Sequence, residues 1–503
     1  MSSAGRRPPA GYLGAEGRIT SGPAPELVEA GYALEVADAP LLHRGLGLAD
    51  LAHVIVLAEA RLVPPADAAR LLAVLLEVLD TPAAAFPYDP VWGDAYNARE
   101  HELERRLGPA AGWLPTGRTR REAGRIAFRL ALAARLLDLH AATAAFVAAC
   151  AEGAREHAGT VWADTTYLQP AQPSTFGHYL GAFAEEGLRH LRRLACAHAW
   201  ADTSPAGAGG VAGTRIPLDR ARLAELLGFG RVGAHTRDAM WAVDGLADAV
   251  GAATQATLTV DRLAEDLEIF SSPPFGYVQL DASLCRASVL MPQKRNPYAL
   301  AVIRGGAGTL VGRATGLLAT QATPSARTDN WLYAYGEVAG ALELARRLLA
   351  LGAAVVRTLE IDTATLAAAA GADHAAATDL AEELVLGQGI DYRSAYRVVA
   401  SAVAAAGTTP LAAADLAAAA ERVLGRPLPD GAAHLAALDP AAAVAARPQT
   451  GGGNPEQVRE HAAAVLAALA EARRWERERR AAADQAATRL VQAARRLAAD
   501  PPR

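Results

Sequence analysis

Apolar residues recur every three or four positions through several long stretches of this 503-residue chain. Ile126 to about Cys150 carries Leu132, Leu136 and Leu139 on one stripe. About Phe176 to Trp200 carries Leu180, Phe183, Gly187, Leu191 and Leu194, and about Ala239 to Phe270 carries Val260, Leu263, Leu267 and Phe270. That spacing predicts amphipathic helices. Pro297 to about Thr320 and Tyr335 to about Thr358 read as two more, and long stripes parted by polar loops predict a bundle. Before it, from Glu26 to about Leu114, the runs are shorter: apolar Leu51–Leu57, amphipathic Asp67–Leu79, and polar Gly93–Leu107 with Asp94, Tyr96, Glu100 and Glu102. After it, Ala376–Val385, Tyr392–Ala405 and Asp415–Leu424 are short again. Pro455–Leu497 is one Ala/Arg/Glu helix whose Arg473–Arg480 part is charged on nearly all sides and reads as solvated or partner-facing. Strand-like alternation is scarce. The pattern predicts an all-α chain of three helical domains, 1–114, 115–360 and 361–503, behind a flexible Gly/Pro lead of about 20 residues.

Composition narrows the classes. Hydrophobic residues make up 51% and aromatics 5%, and the Ala- and Leu-rich balance favours helix. A net charge of −5 with pI near 6.2 argues against nucleic acid as a partner. Cys150, Cys196 and Cys285 are odd in number, widely spaced and without a metal-ligand pattern, so they read as reduced thiols without a metal in a cytoplasmic protein; no cofactor is expected. The N-terminus has no apolar signal core, and no apolar run reads as long enough to span a bilayer.

The chemistry is concentrated in the polar breaks. Ser288 to Gln293 reads as an irregular loop feeding a helix, with Asn296 as N-cap and Pro297 at the first helical position. Lys294 is the single lysine among 49 basic residues. Where arginine serves nearly everywhere else, one retained ammonium points to a point charge that the planar guanidinium fork does not replace. Further breaks run through Thr116–Glu122, Asp164–Pro173, a small-residue loop from Asp202 to Thr214, and Thr323–Ala326. Glu122 and Arg125 suit the exposed first turns of the helix that follows Thr119.

Ser288-Val-Leu-Met-Pro-Gln-Lys-Arg-Asn resembles the Ser-Ser-x-Met-Pro-x-Lys-x-Asn loop of the fumarase/aspartase superfamily, and within it the argininosuccinate lyase branch. Thr116-Gly-Arg-Thr-Arg-Arg-Glu, Thr166-Tyr-Leu-Gln-Pro-Ala-Gln-Pro, Ser204-Pro-Ala-Gly-Ala-Gly-Gly-Val-Ala-Gly-Thr and Thr323-Pro-Ser-Ala are similar to four more of its loops, in the same order. The resemblance runs from about Gly17 to Arg459. It implies a twenty-helix homotetramer core, active sites shared between subunits, and elimination of an amine or water from a succinyl group with release of fumarate. Ser288 matches the catalytic serine, made basic by Lys294 and loop amides; Thr119, Arg120, Thr166 and Asn296 match groups that hold the carboxylates. Gln169 and Ser325 fall in its substrate loops.

The departures point to a changed substrate. Ala287 and Val289 replace the loop's usual Gly and second Ser. The branch's paired His and Glu are Tyr167 and Ala301, a joint loss that avoids one unpaired polar group in a closed site. A second family His is Tyr96, the Asn after the substrate-binding Arg is Arg121, and the Asp after Asn-Pro is Tyr298. The Tyr, Gln and Lys that contact the arginine-like end are Arg327, Leu332 and Tyr335. Arg121 and Arg327 add positive charge, which predicts a more anionic or nitro-like leaving portion than argininosuccinate has. Tyr167 is either the acid for the leaving group or a packing replacement. A C–N lyase acting on a substituted succinate is the leading reading; a non-catalytic tetrameric scaffold and a C–O lyase or addition enzyme of the same fold are the alternatives.

Overall fold

The structure is a computed structural model and describes residues 22–327, 331 and 333–500, so Leu332 lies outside the described residues. Helices dominate it. An N-terminal group comprises α1 (Ala39–Glu59), α2 (Pro65–Asp80) and α3 (Ala95–Leu107). The centre comprises α4 (Arg120–Glu156), α5 (Phe176–Ala201), α6 (Asp244–Phe270), α7 (Tyr298–Thr320) and α8 (Tyr335–Arg357). A small C-terminal group, α9 (Ala377–Gln388), α10 (Tyr392–Ala406) and α11 (Ala413–Leu424), precedes the last helix α12 (Pro455–Ala499).

Local chemistry sets the starts. Thr119 Oγ1 accepts the Glu122 N–H at 3.2 Å and caps α4, and Thr175 Oγ1 does the same for His178 at 3.1 Å at the head of α5. Asn454 caps α12 ahead of Pro455 at its first position. The central helices pack through Phe146, Val147, Leu180, Val260, Leu342 and their neighbours, all nearly solvent-free. Loss of one such Phe side chain costs about 3–5 kcal/mol. At Gly177 a Cβ would lie 2.3 Å from Ala154 O, so only glycine lets α5 start this close to α4. A second core joins α1, α2 and α3 to Leu490 and Ala494 of α12, and a third lies within α9–α11.

Several local expectations change. Asp164–Pro173 is not a loop: β1 (Val161–Thr166) and β2 (Gln169–Thr175) form an antiparallel hairpin with Thr166 opposite Gln169. Its prolines are tolerated because both strands of a two-stranded ribbon are edges. Glu122 and Arg125 are not on exposed turns; both are fully buried, because α4 runs through the middle of the molecule. Asn296 is not a helix cap: it pairs in β4 (Arg295–Asn296) against β3 (Arg286–Ala287), and α7 begins at Tyr298. The Arg473–Arg480 stretch is not solvated all round. Glu476 is buried against Arg480, which also reaches Asp138 at 3.0 Å, and Trp475 packs between His140 and His198. Ala39–Glu59 and Arg120–Glu156 are in fact long and apolar enough to cross a membrane; both are for the most part buried inside the fold, as core helices are.

Candidate active site

The β3–β4 ribbon holds the two feet of the Ser288 loop together. Ala287 pairs with Arg295, and Asn296 Nδ2 donates to Arg286 O at 3.0 Å. Arg295 adds a clamp below, donating to Leu280 O and, at 3.4 Å, to Cys285 Sγ. Within the loop, Ser288 Oγ accepts two backbone N–H groups, Met291 at 3.0 Å and Leu290 at 3.3 Å. The Lys294 N–H closes the turn on Met291 O at 3.0 Å. Two amides aimed at one hydroxyl oxygen favour its anionic form. Lys294 is exposed, and the loop crown shows Val289, Leu290 and Met291 to solvent.

Thr166, Tyr167 and Gln169 come together at the tip of the β1–β2 hairpin. Tyr167 and Leu168 form its two-residue turn with φ of 57° and 59°. Such a turn is normally Asn-Gly or similar, because side chains disfavour the left-handed region. Tyr167 is 98% exposed, so the strained turn presents its ring outward.

A third group lies at the head of α4. Arg118, next to Thr119, is buried and donates to Asp50 at 2.6 Å, and Arg99 reaches the same carboxylate at 2.9 Å. That triad fixes the segment leading into the helix. Glu122 accepts the Gly207 N–H at 2.7 Å and the Gly209 N–H at 2.6 Å, which draws the small-residue loop onto α4. Burial pushes the Glu122 carboxyl up to about 7, against the pull of those amides and Arg118. Gly209 has φ +65°, and a Cβ there would lie 2.6 Å from Gly213 O. Thr119 Oγ1 also donates to Gly209 O at 3.3 Å.

Beside this segment is a cavity of about 20 Å3, lined by Arg120, Arg121, Asp94, Tyr96, Trp331 and Tyr335 among others. Arg121 does not add free positive charge here: Glu35 meets it at 2.8 Å and Asp94 at 3.5 Å, and Arg120 also stands 3.5 Å from Asp94. Burial pushes the Tyr96 phenol up to about 12 and raises that of Tyr335. In the fourth group, Ser325 Oγ accepts from Arg237 at 2.8 Å, and Arg327 is exposed.

One chain thus brings Arg120 and Arg121 to a cavity, Thr166, Tyr167 and Gln169 to a hairpin tip, and Ser288, Lys294 and Asn296 to a loop. The cavity lining contains none of Ser288, Lys294, Thr166 or Tyr167. Glu35 and Trp331 are site neighbours that the periodicity does not mark, and it puts Asp94 on a polar helix and Arg125 on an exposed turn. The signal was there in part: Glu122, Arg125 and Arg129 are three and four residues apart, a polar row among the apolar residues of the first turns of α4. Among the described residues, no group of three or more His, Cys, Asp or Glu side chains is placed to hold a metal ion.

A predominantly helical chain with these motifs in this order defines a lyase of the fumarase/aspartase superfamily. Residues 37–312 match the family described as Lyase. The argininosuccinate lyase of Methanoculleus marisnigri is 32% identical over 461 residues, 90% of this chain and 92% of that enzyme. The crystal structure of EDDS lyase in complex with formate superposes with a TM-score of 0.83 at 27% identity, covering 96% of this chain and 97% of that one. A variant of EDDS lyase with bound fumarate matches with the same figures. The chain belongs to the lyase family of argininosuccinate lyase-like enzymes.

Proposed function

We propose that this chain, a fumarate-releasing C–N lyase by kinship, removes a nitrogen-bearing group from a substituted succinate other than argininosuccinate. The observation that carries the reading is the Ser288 turn, in which two loop amides converge on one hydroxyl oxygen. Ser288 takes the proton from the carbon next to a carboxylate. Lys294 steadies the serine oxygen before the transfer. Charge then builds on the carboxylate, which Arg120, Thr166, Gln169, Asn296 and Ser325 hold; Thr119 positions Arg120 by capping its helix. The C–N bond breaks as the double bond of fumarate forms.

These groups meet in sites shared between subunits of a homotetramer. What supports this is the exposure of the hairpin tip and of the loop crown in the single chain, together with α7. The exposed positions of α7 are uncharged, its half-buried Arg304 and Arg313 are turned to carboxylates on neighbouring helices, and Gly305, Gly308, Gly312 and Gly316 have open space before them. An uncharged face of that length suits another helix better than water. We place the enzyme in the cytoplasm, where fumarate and its amine adducts are soluble metabolites.

The test is ultraviolet detection of fumarate from a panel of 2-substituted succinates, argininosuccinate included. Turnover of a member other than argininosuccinate, with a loss of about 10^2–10^4-fold in Ser288→Ala, supports the reading. Equal rates in both proteins, or efficient cleavage of argininosuccinate alone, overturn it.

A further inference from the structure

The carboxyl group of Glu122 is fully buried, and no step of the elimination proposed above uses it. Its two oxygens go to backbone. One accepts the Gly207 N–H at 2.7 Å and the other the Gly209 N–H at 2.6 Å. Two amides held by the two oxygens of one side chain fix both the place and the tilt of the backbone between them. That backbone is the middle of the small-residue segment 204–214, which has few side chains of its own to pack with.

Donors from three other places hold the carbonyls of the same segment. Arg220 Nε reaches Ala206 O at 3.0 Å, and Thr119 Oγ1 reaches Gly209 O at 3.3 Å. Trp241 Nε1 reaches Gly210 O at 3.0 Å, and Thr236 Oγ1 reaches Val211 O at 2.9 Å. Two of these places lead to groups assigned above to the substrate. Thr119 caps α4 immediately before Arg120. Thr236 and Trp241 are the two ends of one short helix, whose Arg237 donates to Ser325 Oγ at 2.8 Å. Segment 204–214 is therefore a strap between the Arg120 side and the Ser325 side, and Glu122 ties down its middle.

The grip depends on charge. A carboxylate offers an acceptor oxygen to each amide, whereas a carboxylic acid keeps one acceptor and turns an O–H toward the second N–H, donor against donor. The charged groups that face Glu122 are Arg118, on the segment leading into α4, and Arg220, at the head of the helix Arg220–Leu227. Arg118 is itself paired with Asp50. Burial, the largest effect, pushes the carboxyl up to about 7, against the pull of the two amides and the two arginines.

We propose that Glu122 is a positioning residue for substrate carboxylates: as a carboxylate it seats segment 204–214 on the head of α4 and on the helix Thr236–Trp241, and so sets Arg120 and Ser325 relative to each other. The inference rests on the assignment of Arg120 and Ser325 to the substrate in the reading above.

The experiment uses fumarate as the probe. Calorimetry measures its Kd on both sides of about pH 7 with the full-length wild type, Glu122→Gln and Glu122→Asp. Wild type binds most tightly above about pH 7 and about tenfold more weakly one unit below it, close to the limit for one linked proton. Glu122→Gln binds about tenfold more weakly than wild type on the alkaline side and shows no acidic fall. Glu122→Asp recovers part of the affinity and keeps the fall. Hydrogen exchange of wild type, which needs no variant to fold, shows the Gly207 and Gly209 amides losing protection on the acid side, after allowance for the intrinsic pH dependence of exchange. An acidic fall that persists in Glu122→Gln assigns the titration elsewhere, for instance to Asp38, which burial pushes up to about 6, and overturns the proposal. Equal affinity in wild type and Glu122→Gln, pH-independent protection of both amides, or no fumarate binding at any pH overturns it too. If wild type releases no fumarate from any 2-substituted succinate, the elimination reading fails by itself, and fumarate binding with amide protection still decides on Glu122.

Discussion

Lys294 is the only ammonium in a chain that otherwise uses guanidinium, and it stands in solvent on the loop that carries Ser288. Its exposure separates function from folding. Lys294→Ala leaves the melting temperature within about a degree, since surface changes of this kind stay within about 0.5 kcal/mol. The same change lowers kcat by about 10^2–10^3-fold, the scale of one lost electrostatic partner. Steady-state fumarate release alongside a thermal melt checks both, and an active Lys294→Ala protein removes the ammonium from the mechanism. Arginine at 294 restores charge but not its compact placement, so Lys294→Arg recovers only part of the rate. At this scale the motif around Ser288 and the singular Lys294 stand out in the sequence because a short motif and a rare residue type need no tertiary contact to be seen. Arg121 misled for the opposite reason: its charge is cancelled by Glu35, which is 86 positions away in sequence.

The β1–β2 hairpin and the α12 dock each give a prediction at the scale of elements. Tyr167 and Leu168 both hold left-handed backbone, a conformation that costs a non-glycine residue about 1 kcal/mol or more. Leu168→Asn relieves one of them, because Asn tolerates that region, and the hairpin gains about 1 kcal/mol. Hydrogen exchange of the 161–175 amides reads this as slower exchange; unchanged exchange removes strain from the account. The α12 dock carries a titration. Burial, then the neighbouring His198, lowers the His140 imidazole to about 4. Its folded value lies below its unfolded value of about 6.5, so the unfolded chain binds the proton first. Stability is therefore intact above about pH 6.5 and falls as pH drops toward 4, by about 2 kcal/mol between pH 7 and pH 5. His190, also lowered to about 4 by burial, adds in the same direction. A His140→Leu protein loses less on acidification than wild type does; identical pH profiles from chemical denaturation show that His140 does not govern the dock. The hairpin was missed because two prolines mask its strands. The dock was missed because Arg and Glu around Trp475 look like a solvated face until α4 and α5 cover one side.

For the whole molecule the question is what α7 faces. Gly312 has open space where a side chain would stand, so Gly312→Glu is accommodated within one chain. In a tetramer it places a carboxylate at an uncharged contact. If the proposed homotetramer forms through α7, light scattering shows smaller assemblies than for wild type, and fumarate release falls with them, because the sites proposed above are shared between subunits. A Gly312→Glu protein that stays tetrameric and active rules this face out as the contact.

The sequence alone determined the long helices, the order of the polar breaks between them and, through the motifs those breaks carry, the family. All of these are encoded by spacing along the chain, where a helix face repeats every three or four residues and a loop motif is contiguous. Only the tertiary structure decided which polar rows meet water. Glu122, Arg125 and Arg129 on α4 have the same spacing as a solvent face, and they are buried because other elements pack over them. Burial is a property of what covers a residue. The cavity beside Tyr335 and the buried Arg125 behind it therefore exist only once positions 35, 94, 125 and 335 are folded together.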